Sequence, residues 1–327
     1  MESVIRQKVI AQIVDKINNS RFIVIAGHVS PDGDSVASCL ALAMSIKKLG
    51  KTPMVLMEEI PRKYRSIAGR EFIKIDYENA EGVPDLFICC DCGSKERMGK
   101  FEELFDKTVE TIVIDHHISN TGYGEINYVD AKSSSASEMV YDVIMAIGNM
   151  DKDIASAIYA GIIFDTGGLR FKSSSPATFV KVSKLIECGI PFDEIYAEMM
   201  LTRSYKATLL FAKAVGKMEF LEGMPVVYSF VTKGEMDSIA ANRSDLEGVS
   251  GYMLNTEGAE VSILISEVSE NESKVSFRSK KIDMNILASH WGGGGHVNAA
   301  GATIALGPEA ALNEVLTIVA QRCCFTD

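Results

Sequence analysis

The chain has 327 residues, 47% of them apolar and 24% charged, and a formal net charge of −11 at pH 7. That length and apolar content suffice for two compact domains and exclude bulk disorder. No apolar run approaches the roughly 18 residues that a membrane span needs, and the acidic balance argues against a long duplex nucleic acid, which is bound by clustered Lys and Arg.

Residues 1–8 mix both charge signs with apolar residues at helical spacing, which predicts a surface helix and not a secretory signal, so the cytoplasm is the expected location. Residues 21–27 form a β-branched strand, and a helix over 34–49 ends at Gly50. Further strands are predicted at 53–57, 72–76, 86–90 and 111–114. Ser135-Ala136-Ser137-Glu138 opens a helix with a capping-box pattern, and a helix from about Asp153 carries Ile154, Ile158, Ile162 and Asp165 on one face. The alternation predicts an α/β fold with a doubly wound, mostly parallel sheet over 1–190. A helical linker follows at 191–221, then a smaller mixed α/β domain at 222–327. In it, a strand at 226–231 precedes a hairpin of 260–266 and 274–279, a helix from Asp283, the glycine run Gly292 to Gly295 and a last helix after Pro308. The seven cysteines, Cys323 and Cys324 among them, show no Cys-x-x-Cys zinc pattern and read as reduced and mostly structural.

The chemistry gathers where strands end. The first strand runs into His28-Val29-Ser30-Pro31-Asp32-Gly33-Asp34-Ser35, another ends at Asp91, and a third at Asp115-His116-His117. Carboxyl ends of strands are where open α/β sheets bind ligands. Asp165 on an apolar helix face needs a compensating partner. Taken singly, Asp32 or Asp34 reads equally as a helix cap, and Asp91 and Asp115 as turn residues. Together the picture changes: four of the five histidines, His28, His116, His117 and His296, lie in such segments, and mixed His and Asp ligands suit manganese or a similar divalent ion. Bound cations would also invert the sign of the field for a short anionic ligand. Four consecutive glycines allow a flexible loop, or a backbone that a ligand approaches closely. Arg170 and Phe171 read either as ligand contacts or as a surface Arg beside a core Phe.

These segments resemble those of the DHH phosphoesterase family, whose signature is the Asp115-His116-His117 run, and the similarity spans nearly the whole chain. Ser276-Phe277-Arg278-Ser279 and Gly292 to Gly301 are similar to the DHH-associated C-terminal domain. The resemblance implies an active site in the cleft between the domains and two divalent cations, Mn2+ first, with Mg2+ or Co2+ as alternatives. His28, Asp32 and Asp91 would hold one ion, and Asp34, Asp91, His116 and Asp165 the other, with Asp91 bridging. Asp115 would orient a histidine ring, and His117 would face the substrate. Arg278, Ser279, Gly293, Gly294, Gly295 and His296 would clamp phosphate. The implied chemistry is in-line attack of an activated water on phosphorus.

With only these two domains, the chain resembles the members that trim short oligoribonucleotides and dephosphorylate adenosine 3′,5′-bisphosphate (pAp). Short RNA or small nucleotides are the expected partners, with no long duplex and no membrane, and a homodimer is left open. A stand-alone cyclic or linear dinucleotide phosphodiesterase, an exopolyphosphatase-like hydrolase and a nucleotide-binding regulatory module are the alternatives. Manganese pyrophosphatases share the first-half motifs but end in a different second domain. Leu169, where relatives often have Phe, and Ala136, where Thr is common, leave the preferred nucleotide open.

Overall fold

The computed structural model describes residues 3–59, 64, 66–77 and 82–322. The chain divides into two compact units, Met1–Thr202 and Arg203–Asp327.

The first unit is built on a sheet of six strands, all parallel: β1 (Phe22–Ala26), β2 (Thr52–Leu56), β3 (Ile73–Lys74), β4 (Leu86–Cys90), β5 (Thr111–Asp115) and β6 (Ile126–Val129), in the order β3-β2-β1-β4-β5-β6. This is the doubly wound order, which reverses direction at the β1–β4 boundary. Strand β6 is absent from the sequence reading, because Asn127 interrupts a short apolar run.

Helices cover both faces. Ile23 and Ile25 of β1 face one core with α1 (Ser3–Asn19), α2 (Gly33–Lys48), α4 (Ala136–Ile147) and α5 (Lys152–Asp165). Val24 and Ala26 face the other core, which holds Phe105 of α3 (Glu102–Lys107). Strands buried on both faces read as continuous apolar runs, and each fully buried Ile or Leu contributes about 1.5–3 kcal/mol. The Ser135 hydroxyl caps α4 by accepting from the Glu138 N–H (3.0 Å), but the reciprocal half of the expected capping box is missing. Instead the Glu138 carboxylate accepts from the Ser134 N–H and hydroxyl and from the Thr178 hydroxyl of α6 (Pro176–Glu187), which pins α6 to α4.

Between the sheets, α7 (Phe192–Tyr196) and a π-helical turn (Ala197–Leu201) belong to the first unit, and α8 (Tyr205–Gly216) to the second. The predicted helical stretch thus stops short of residue 221, and Glu219–Phe220 forms the edge strand β7.

The second unit holds a mixed six-stranded sheet in the order β11-β12-β10-β9-β8-β7. Its other strands are β8 (Val226–Val231), β9 (Val261–Ser269), β10 (Glu272–Ser279), β11 (Gly294–His296) and β12 (Ala299–Ile304), with only β8 and β9 parallel. On one face, Val275, Phe277 and Ile263 pack with α11 (Met284–Ala288) and α12 (Pro308–Arg322). On the other, α8, α9 (Lys233–Asp237) and α10 (Val249–Leu254) cover Val227, Val231 and Leu264. The described cysteines, Cys39, Cys89, Cys90, Cys92 and Cys188, are free thiols, while Cys323 and Cys324 lie outside the described residues. No described helix is long and apolar enough to cross a membrane.

Candidate active site

The loops that leave β1 and β4 flank the switch point of the first sheet, and they bring the predicted acids and imidazoles of this unit together. Asp32 is the N-cap of α2: its Oδ1 accepts from the Asp34 and Ser35 N–H groups (3.0 and 3.1 Å). Its second oxygen, Oδ2, lies 4.0 Å from His28 Nε2. Capping and facing the imidazole are therefore compatible, because a carboxylate has two oxygens. Buried Asp34 caps a different helix. It accepts from the Ala136 N–H (2.6 Å) and the Ser137 N–H (2.9 Å) in the first turn of α4, which ties α2 to α4 at the rim.

His28 Nδ1 lies 2.7 Å from the Val29 carbonyl oxygen, which only accepts, and 3.2 Å from the Arg97 guanidinium, which only donates. Burial lowers the His28 pKa, and the Arg97 guanidinium, 3.2 Å from the same nitrogen, lowers it further. Its Nε2 faces the carboxylates of Asp32 and Asp91.

Asp91 follows β4 with a φ of +55°, a left-handed conformation rare outside glycine that costs of order 1–3 kcal/mol. Its two oxygens face opposite ways: Oδ2 lies 3.7 Å from His28 Nε2, and Oδ1 lies 3.5 Å from His116 Nε2. His116 Nε2 is also 3.4 Å from Asp165 Oδ2, at the end of α5. Burial and the charge of Asp34 hold the Asp91 carboxyl well above the usual carboxylate range. The same two causes push Asp165 up to about 7. Burial opposes a charge on His116, but the hydrogen bond to Asp91 and the charges of Asp165 and Asp34 outweigh it and push its pKa up to about 10. A proton on His116 thus stands where the cluster calls for positive charge.

His117 is held differently. Its Nδ1 donates to Asp115 Oδ1 (2.7 Å), and Asp115 Oδ2 accepts from Asn120 Nδ2 (2.7 Å). Burial alone would raise the Asp115 pKa, but these two partners bring it below its ordinary value. The same Asp115 bond raises the His117 pKa against its burial.

Three groups of side chains converge closely enough to share a cation: His28, Asp32 and Asp91; Asp34, His116 and Asp165; and Asp91, His116 and His117, with ligand atoms in each within 4.8 Å of one another. Imidazoles with carboxylates are the donor set of borderline divalent ions. Buried carboxyls pushed toward the protonated form also lack a counter-charge, which such ions supply, so the residues fit a metal centre. Two contributors had no sequence signal: Arg97, in the 3-10 helix Lys95–Phe101, beside His28, and Asn120, in the loop after β5, behind Asp115. Near the rim, Arg170 Nε donates to the Gly167 carbonyl (2.8 Å), and Phe171 is 54% exposed, so it is not the core residue one reading expects. Leu169 holds a φ of +65°.

In the second unit, a cavity of about 610 Å³ lies over β10 and β12 and is lined by Arg278, Ser276, Trp291 and Gly293 among others. Arg278 is half-buried, and burial depresses its pKa. Its recorded hydrogen bond is to the Phe277 carbonyl (2.9 Å), and among the described residues it pairs with no carboxylate. Ser279 and the glycine run are engaged within the unit itself. Ser279 does not line the cavity: it is buried, and its hydroxyl accepts from the Lys281 and Ile282 N–H groups (3.1 and 2.7 Å) in the turn after β10. The glycine run is likewise engaged within the unit. Gly293 N–H donates to the Ala288 carbonyl (3.0 Å), and Gly295 N–H donates to Asn285 Oδ1 (3.1 Å). A Cβ on Gly293 or Gly295 would collide with the Gly301 or Ala299 carbonyl oxygen, so close pairing of β11 on β12 itself requires glycine there. Gly294 pairs with Gly301 across the same ladder. The His296 side chain lies outside the described part of the structure.

Acids and imidazoles delivered by three strand ends to the switch point of a doubly wound sheet are the equipment of a hydrolase that acts on phosphoric esters. The chain belongs to the DHH family: residues 22–162 match the DHH family, N-terminal domain, and residues 223–323 match the DHHA1 domain. It is 27% identical over 320 residues to the bifunctional oligoribonuclease and PAP phosphatase NrnA of Thermus thermophilus, a match covering 97% of this chain and 94% of that protein. An exopolyphosphatase-related protein from Bacteroides fragilis shares the fold at a TM-score of 0.89 with 25% identity, covering 96% of each chain. RecJ from Thermus thermophilus, crystallised with Mn2+, matches at a TM-score of 0.57 and 15% identity, covering 98% of this chain and 55% of RecJ.

Proposed function

We propose that the chain is a cytoplasmic two-metal phosphodiesterase and phosphatase that hydrolyses short oligoribonucleotides and adenosine 3′,5′-bisphosphate. The observation that carries this reading is the placement of Asp91, whose two oxygens face His28 on one side and His116 on the other. His28, Asp32 and Asp91 would hold one ion, and Asp34, Asp91, His116 and Asp165 the other. Manganese is the first expectation, with magnesium or cobalt as alternatives. When bound, such a pair polarises a phosphoryl oxygen and makes an attacking water acidic.

The protein's own groups then divide the work. His28 would present Nε2, which faces Asp32 and Asp91, as a lone-pair donor. Asp115 holds His117 by Nδ1, which fixes the ring plane and favours the protonated imidazole. That state suits His117 to donate a proton from Nε2 to the leaving oxygen. Arg278 offers its guanidinium to the phosphate oxygens, a geometry in which two parallel hydrogen bonds form. Gly293 and Gly295, with their N–H groups engaged within the unit, shape this region. Long duplexes are not substrates in this reading.

The name of the Thermus relative supports short RNA and pAp, and the description of the Bacteroides protein supports polyphosphate as a second reading. One panel separates them: purified protein with manganese is given pAp, RNA dimers to pentamers, cyclic di-AMP and polyphosphate. Short RNA or pAp should give the highest kcat/KM. Turnover of polyphosphate or cyclic di-AMP alone would replace the reading, and binding without product would leave a nucleotide sensor.

A further inference from the structure

We propose that Gly161 is a positioning residue for one of the two ions. The side chain it lacks is the space in which the Asp34 carboxylate sits, so it governs the ion assigned to Asp34, Asp91, His116 and Asp165 and leaves the one assigned to His28, Asp32 and Asp91 alone. The proposal rests on the two-metal reading and deepens it. It starts from a cost written in the sequence. Glycine is the least favourable residue after proline in a helix interior, yet Gly161 stands inside α5, one turn before Asp165. Its backbone is helical, a conformation open to every residue but proline, so conformational freedom does not explain the choice. What remains is room.

That room is filled by two side chains. A Cβ on Gly161 would fall on the Ser137 hydroxyl and within 2.8 Å of Asp34 Oδ1. Asp34 is buried and is not free to turn away, because each of its oxygens accepts a backbone N–H of α4: Ala136 at Oδ2 (2.6 Å) and Ser137 at Oδ1 (2.9 Å). Both N–H groups lie in the first turn of α4, where no helical carbonyl is within their reach, so their bond to Asp34 is what satisfies them. The carboxylate is gripped by α4 at its oxygens and bounded by α5 at its flank. The same two helices interlock in the other direction. Gly33, beside Asp34 on α2, makes room for the ring of Phe164, beside Asp165 on α5, and a Cβ there would lie 2.6 Å from Phe164 Cγ. Each helix lacks a side chain where the other inserts one.

Selectivity for one ion follows from helix geometry. Residues four apart on a helix share a face, so Gly161 and Asp165 look the same way. A side chain at 161 therefore either pushes Asp34 off the α4 amides or moves α5 and carries Asp165, now 3.4 Å from His116 Nε2, with it. Asp34 and Asp165 belong to one converging group together with His116, and neither belongs to the group of His28, Asp32 and Asp91. The atoms nearest a Cβ at 161 belong to Ser137 and Asp34 alone.

The test compares the full chain with its Gly161→Ala variant by manganese calorimetry and, in EDTA, by amide hydrogen exchange. Gly161→Ala should hold one ion as tightly as wild type and the other about tenfold to a hundredfold more weakly, the usual cost of losing a contact that orients a ligand. Without metal, the Ala136 and Ser137 amides should exchange about tenfold faster or more, as expected for a lost hydrogen bond to a charged acceptor. Ile154→Ala truncates a buried side chain about two turns earlier on α5 and controls for packing: it should melt below wild type yet keep both ions and both slow amides. Gly161→Ala combined with Ser137→Gly removes the collision with the hydroxyl and keeps the N–H at 137, so it stands in should the single variant fail to fold. Measured against Ser137→Gly alone, it should still show one weakened ion and fast amides. Two ions at wild-type affinity with slow amides in these Gly161→Ala proteins, or the same losses in Ile154→Ala, would overturn the proposal. A wild-type chain that binds fewer than two ions would sink the two-metal reading, while faster exchange at 136 and 137 in Gly161→Ala would leave the steering of Asp34 standing.

Discussion

The two units solve opposite electrostatic problems with opposite kinds of sheet. In the first, parallel strands end at one edge and deliver carboxylates and imidazoles that are mutually unfavourable until a positive charge joins them: burial and Asp34 push up both Asp91 and Asp165. In the second, a mixed sheet turns one strip of its face outward and keeps there Lys274 and Arg278, which among the described residues pair with no carboxylate. Negative groups are thus concentrated at the strand ends of the first unit, and among the described residues positive ones stand without a carboxylate partner on the sheet face of the second.

The comparison breaks first at Asp91. Asp91→Asn should lower kcat by more than about 10³-fold with an unchanged circular dichroism spectrum, since it removes charge facing both His28 and His116. A variant within tenfold of wild type would show that the negative cluster is not the engine of the first unit. His117→Ala should cost about 10²–10⁴-fold, the range of general acid catalysis. The pH profile sharpens this: a raised His117 pKa predicts activity that falls on the alkaline side as the ring loses its proton, and the variant should lack that limb. A limb that persists would assign the acid elsewhere. Asp115→Asn keeps the shape and weakens the orienting bond, so a loss of about 10–100-fold is expected.

The smallest effect is on stability. Asp165 and His116 titrate at about 7 and about 10 in the folded protein, both raised above their ordinary values. Their contribution to metal-free stability is therefore complete below the unfolded values of about 3.9 and 6.5, and is lost as pH rises through the folded ones. Melting in EDTA should fall from pH 5.5 to 8.5. The stabilisation by manganese should grow over the same range, reaching roughly 5–10 °C at a hundredfold excess over Kd. Equal shifts at both pH values would show that protons and cations do not compete for this cluster.

Legibility in the sequence followed the same division. In the parallel sheet, a strand end is visible as an apolar run that stops at a polar residue, so His28, Asp91 and Asp115-His116-His117 could be placed on one rim before any coordinates. What escaped was the company they keep: Arg97, Asn120 and the Ala136 and Ser137 N–H groups act through folded proximity that no spacing encodes. In the second sheet the limit was parity. Ser276-Phe277-Arg278-Ser279 reads as one motif, yet alternation sends Arg278 to the cavity and Ser279 to a buried turn. The glycine run was ambiguous for a related reason, because its pairing partner, Ala299 to Gly301, is known only once the strand register is known.

The measurement closest to the central claim counts manganese. Equilibrium dialysis or calorimetry on wild type, His28→Ala and Asp91→Asn should find two ions per wild-type chain. One tight ion should remain in His28→Ala, and both should be weakened in Asp91→Asn. Two ions held as tightly in Asp91→Asn as in wild type would contradict the shared carboxylate on which the account depends.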